Sequence, residues 1–154
     1  MMSIDARLEE LGINLPAAAA PVASYVPVVI HGDLAFVSGQ VSFVDGKLLT
    51  GRLGEDISLE DGIKAARGCG LMILAQLKAA LGSLDRVERV VKLGGFVNCT
   101  ADFTDQPKVI NGASDLMLEV FGDAGKHARA AVGVPALPLG VAVEVDAVVA
   151  IRGD

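Results

Sequence analysis

Tryptophan is absent from this 154-residue chain, and tyrosine occurs once beside five phenylalanines. So few rings leave little for unpaired bases to stack on, and a single-strand nucleic-acid platform is not expected. Cations are short as well: 13 Lys and Arg against 19 Asp and Glu give a net charge of −6. Phosphate backbones are bound by clustered Lys and Arg. The nearest candidate, residues 86–92, includes Glu88 and alternates as a strand would, so it reads as a solvated face. There are two cysteines, Cys69 and Cys99, and two well-separated histidines, His31 and His127. They form no disulfide framework and no HExxH or CxxC motif, so no metal is expected. The cysteines read as core or interface packing.

Long uninterrupted apolar runs are also missing. A membrane-spanning helix needs roughly 20 apolar residues in succession. Here Pro16, Pro21 and Pro27 break the early stretches, and Glu144 and Asp146 the late one. The first residues, MMSIDARLEEL, carry acids where a secretory signal would be basic and then apolar. The expectation is therefore a cytoplasmic protein with no membrane partner. Yet 52% of the residues are hydrophobic, only 21% are charged, and the mean hydropathy is +0.52. That excess of apolar surface is expected between subunits of an oligomer.

The length suits one domain, 1–154, with a short N-terminal helix at 3–12 and an extended lead-in at 13–24. Ser3 can cap the first helix and Gly12 can end it. Tyr25–Ile30 and Leu34–Ser38 read as a hairpin about His31-Gly32-Asp33, and Asp45-Gly46 marks a second tight turn. Ser58-Leu-Glu-Asp61 opens a helix whose apolar residues, Ile63 to Leu81, keep helical spacing until Gly82. Gly68 and Gly70 within it predict close helix–sheet packing. Val87–Cys99 predicts a strand, with a bulge or bend at Gly94-Gly95. A helix over Pro107–Phe121 and strands over Arg129–Pro135 and Val141–Ile151 complete an α+β pattern, both helices on one face of a mixed sheet.

The last strand sorts cleanly by parity. Val141, Val143, Val145, Ala147, Val149 and Ile151 share one face, while Glu144 and Asp146 lie on the other. If the two final strands pair as a hairpin, Arg129 lands on the carboxylate face, on a surface no helix covers. Arg129 is then either half of a solvated or interfacial salt bridge or a bidentate clamp for a substrate carboxylate. A neighbouring carboxylate could orient or deprotonate a water. Spacing alone leaves both readings open, and leaves open which acid lies nearer.

Tyr25, Val37-Ser-Gly-Gln40, Asn111, His127-Ala-Arg129, Leu137-Pro138 and Val143-Glu-Val145 occur in an order that resembles the Rid family of YjgF-like reactive intermediate deaminases. The resemblance runs from about Val22 to Ile151. The N-terminal helix and the long segment 102–109 resemble a longer subgroup, and Ala131 stands where a cysteine is often found. The resemblance implies a chorismate-mutase-like fold assembled as a barrel-like homotrimer with clefts between subunits. It implies hydrolysis of enamines or imines such as 2-aminoacrylate to 2-oxo acids and ammonia, with no cofactor. Arg129 would hold the substrate carboxylate, Glu144 would position the water, and Tyr25, Ser38, Gly39 and Asn111 would shape the cleft. His127 is expected in the surface loop before Arg129. The alternative is a trimer that binds or senses a small carboxylic acid without turnover, for which Glu144 would be dispensable. An endoribonuclease, a label relatives carry, is disfavoured by the acidity, the lack of paired histidines and the scarce aromatics.

Overall fold

The computed structural model describes residues 2–20 and 23–153. Pro21 and Val22, within the expected lead-in, lie outside the described residues. The chain runs α1 (Ile4–Glu10), β1 (Val28–His31), β2 (Leu34–Val41), β3 (Phe43–Val44), β4 (Lys47–Leu48), α2 (Leu59–Leu81), β5 (Val87–Asn98), α3 (Gln106–Phe121), β6 (Ala128–Val134) and β7 (Val143–Ile151). Five strands form a mixed sheet in the order β1-β2-β7-β5-β6, and β3 and β4 form a small separate hairpin. Helices α2 and α3 pack together and against the same sheet face, so the α+β expectation holds.

Local chemistry accounts for most element ends. Ser3 Oγ accepts from the Ala6 amide at 3.1 Å, and Ser58 Oγ from the Asp61 amide at 3.1 Å. Each occupies one of the amides that a helix start leaves without a backbone partner. Gly82 ends α2 at a φ of 83°, and Asp45 (φ 52°) and Gly46 (φ 79°) supply the two left-handed residues of the β3–β4 turn.

Strand β7 alternates as expected. Val143, Val145, Ala147, Val149 and Ile151 are buried, while Glu144, Asp146, Val148 and Ala150 are half-buried on the other face. The core beneath gathers Leu93 and Val97 of β5, Ile73, Leu74 and Leu77 of α2, and Ile110, Leu116 and Met117 of α3. Cys69 is fully buried there, and loss of solvent pushes its thiol well above the usual range. Among the described residues no helix is long and apolar enough to cross a membrane.

Three local expectations need correction. Gly94 and Gly95 are no bulge: they pair in regular register with Asp146 and Val145, and the irregularities fall earlier, between Val87 and Lys92. Both are small because neighbours occupy the space. A Cβ on Gly94 would meet the Asp146 carboxylate, and one on Gly95 would lie 2.6 Å from the Ile110 side chain. A Cβ on Gly68 would run into the Phe43 carbonyl of the small hairpin, and one on Gly70 would lie 2.9 Å from the Leu116 side chain of α3, so Gly70 serves helix–helix contact.

The third correction concerns the last two strands. Strand β6 does not pair with β7. It lies parallel to β5, with Leu93 opposite Arg129, and β5 separates it from β7. Parallel neighbours need a crossover, and α3 provides it between β5 and β6.

Candidate active site

Cross-strand register decides which site residues share a face. Leu93 pairs with Ala147 on one side and Arg129 on the other, so Arg129 points to the helix-covered face. Phe96 pairs with Glu144 and Val132, and Gly94 with Asp146 and Ala130, so both acids occupy the open face. Arg129 and Glu144 therefore lie on opposite faces and two strand spacings apart, about 10 Å laterally. The expected common face is overturned, because the hairpin on which it rested does not form.

One half of the candidate site gathers around Glu144. The β2–β7 register shifts between Val37 and Gln40, which places the Ser38-Gly39 backbone over the Glu144 side chain. A Cβ on Gly39 would collide with the Glu144 carboxylate, so glycine here admits the acid. Ser38 Oγ donates to the Val26 carbonyl at 2.8 Å, and the Ser38 amide to the Pro27 carbonyl at 2.9 Å. These bonds tie the bulge to the segment carrying Tyr25, which is exposed. The Glu144 carboxyl is held above the usual carboxylate range, first by burial and then by the charge of Asp146. Asp146 is also raised by burial, against the opposing pull of the Gly94 amide and Lys92.

The other half is built on α3 and the start of β6. Arg129 Nη1 donates to Asn111 Oδ1 at 2.8 Å and to Ser114 Oγ at 3.2 Å. Asn111 and Ser114 are three apart on α3 and so share one helix face. Ser114 Oγ lies 2.8 Å from His127 Nε2, and His127 Nδ1 lies 2.6 Å from the Gly125 carbonyl oxygen. Half-buried Arg129 forms no ion pair with any described residue. Nor do three His, Cys, Asp or Glu side chains meet as a metal-ligand group among those residues.

The structure thus brings Ser38, Gly39 and Glu144 together beside the exposed segment that carries Tyr25, and separately joins Asn111 to Arg129. Sequence reasoning missed Ser114 and placed His127 correctly in the loop before Arg129, but as a surface residue, whereas it is half-buried and bonded through both ring nitrogens. A signal existed for Ser114, which follows Asn111 by three residues on a helix; for His127 the signal is its place in the loop two residues before Arg129.

A family model described as "YjgF/chorismate mutase-like, putative endoribonuclease" matches residues 5–149. The chain belongs to this family. Among YjgF-like relatives, Protein TCP17 of Trypanosoma cruzi is 55% identical over 148 residues, 95% of this chain and 92% of that protein. Protein Atu1372 of Agrobacterium tumefaciens, described as of unknown function, is 48% identical with a TM-score of 0.89, over 97% of this chain and 92% of the other. A "putative endoribonuclease" from Shewanella oneidensis MR-1 is 36% identical with a TM-score of 0.93, over 97% and 100%.

Proposed function

We propose that this YjgF-like chain is a deaminase that hydrolyses small, carboxylate-bearing enamines or imines such as 2-aminoacrylate to 2-oxo acids and ammonia, acting at clefts between the subunits of a homotrimer. The observation that carries the reading is Arg129: a half-buried guanidinium fixed by two neutral acceptors, with no carboxylate among the described residues to neutralise it. Such a group is suited to a ligand carboxylate, which it can grip with two parallel N–H bonds.

Glu144 supplies the second element. An imine carbon is already electrophilic, so the site has to orient it, supply water and manage a proton. A carboxylate titrating above the ordinary range is poised for that proton. Since Arg129 and Glu144 occupy opposite faces of one sheet, the site is completed when a second copy brings its Glu144 half against the Arg129 half. Exposed Val29, Phe36 and Val132 share the open face with Glu144 and give that copy an apolar surface to bury.

The family description also carries an RNA-cleaving reading. Its support here is weaker, because general acid–base cleavage calls for titratable pairs, and His127 has both nitrogens engaged while His31 stands exposed on β1. The deciding experiment generates 2-aminoacrylate in situ with a cysteine or serine lyase and follows its loss. Acceleration by wild type, abolished in Arg129→Ala and Glu144→Ala, supports the reading. No acceleration by a folded, assembled protein rejects it for that substrate. Binding without turnover, unaffected by Glu144→Ala, points to a carboxylate sensor.

A further inference from the structure

A guanidinium can receive a carboxylate end-on, through its two terminal nitrogens, or side-on, through Nε and one terminal nitrogen. The bonds around Arg129 decide between them. Nη1 carries two N–H groups, and both are engaged on α3, one by Asn111 and one by Ser114. What remains for a ligand is the edge formed by Nε and Nη2.

The bond directions continue beyond Arg129. The Gly125 carbonyl can only accept, so His127 Nδ1 carries the ring proton at the 2.6 Å contact. In the neutral ring Nε2 is then an acceptor, and the Ser114 hydroxyl donates into it across 2.8 Å. The Ser114 lone pairs are left facing Arg129. Donation therefore runs one way, from Arg129 to Ser114, from Ser114 to His127, and from His127 to the Gly125 carbonyl.

We propose that Ser114 and His127 are positioning residues that fix the Arg129 guanidinium so that its Nε–Nη2 edge receives the planar carboxylate of a 2-imino or 2-oxo acid. This rests on the carboxylate reading of Arg129 above. Two other roles fit the geometry less well. A proton relay needs an outlet, and this chain ends on a backbone carbonyl. A serine nucleophile needs access, whereas Ser114 is 8% exposed and its oxygen is already shared by Arg129 and His127. The far end of the chain is itself anchored, because buried Gly125 packs so closely on α3 that a Cβ would run into the Met117 carbonyl. The ring, the hydroxyl and the guanidinium are thereby all referenced to one helix.

The test uses pyruvate, the product expected from 2-aminoacrylate, titrated calorimetrically into the assembled protein. Wild type binds and Arg129→Ala does not. Ser114→Ala and His127→Ala, with unchanged melting temperature and assembly, weaken binding about tenfold, as loss of a bond to a charged group would. Ser114→Thr, which keeps the hydroxyl, restores most of the affinity. Long-range proton–nitrogen spectra of wild type show His127 as the Nδ1-protonated tautomer. Wild-type affinity in both alanine variants, or an Nε2-protonated ring, overturns the positioning role while leaving the carboxylate site standing. Should the alanine variants fail to fold, the wild-type tautomer still decides. If wild type binds no pyruvate, the carboxylate reading falls and the positioning role falls with it.

Discussion

Glu144 and Asp146 show at the level of single residues how a site and stability pull against each other. Both carboxyls titrate above their usual range, chiefly because folding removes solvent from them. A carboxyl raised in the folded state favours folding most when protonated. That contribution is full below the ordinary carboxylate range and is lost as pH rises through the raised value. Glu144→Gln and Asp146→Asn are therefore expected to raise the melting temperature at pH 8, with the advantage shrinking towards pH 4, near the ordinary value of about 4. Melts at the two pH values check this, and a lower neutral melting temperature in both variants contradicts it. The proposed hydrolysis would use ionised Glu144, so its rate is expected to fall on acidification through a pKa above the ordinary carboxylate range. Gly39→Ala sharpens the same point. Its Cβ would displace the end of the Glu144 side chain, which can move without disturbing backbone. Activity should drop while the melting temperature holds.

At the level of elements, packing at glycines separates what could be read in advance from what could not. The helix ends at Ser3, Ser58 and Gly82 and the Asp45-Gly46 turn depend on residues within a few positions, and all were readable. The parity of β7 was equally plain, because a strand with one face in the core must alternate. The neighbour of β6 was not readable: a short apolar strand carries no mark of which strand it joins, and α3 routes it beyond β5. Arg129 was thus singled out as a site candidate while its face was misassigned, and the bonds of Ser114 and His127 went unread because their partners come from separate elements. The Gly94-Gly95 pair, expected as a bend, marks where α3 and Asp146 come close. Gly95→Ala should drive a methyl into Ile110 and destabilise the fold by about 1–3 kcal/mol, measurable by urea denaturation. Gly112→Ala should cost more, because the obstacle is the Ile63 carbonyl of α2 and backbone cannot rotate away. A neutral result at Gly95 would mean that the α3–β5 contact is looser than these distances.

At the level of the whole molecule, the divided site and the apolar open face point to the same assembly. One chain carries Arg129 with its α3 partners on one side of the sheet and Glu144 of β7 with the Ser38-Gly39 bulge of β2 on the other, facing opposite ways. In the proposed trimer, a heterologous, closing arrangement of copies would set one half against the other at every interface. Phe36→Asp, on the exposed open face, is expected to yield a folded monomer by sedimentation with no turnover. The most direct test of a site shared between copies is complementation. Arg129→Ala and Glu144→Gln chains, each inactive alone, are unfolded together, refolded as a one-to-one mixture and assayed for 2-aminoacrylate hydrolysis. A cleft that takes Arg129 from one copy and Glu144 from the next is intact in about a quarter of randomly mixed interfaces, so the mixture should regain about that fraction of wild-type activity. No recovery from properly mixed oligomers would place both residues in one chain's own site and contradict the account.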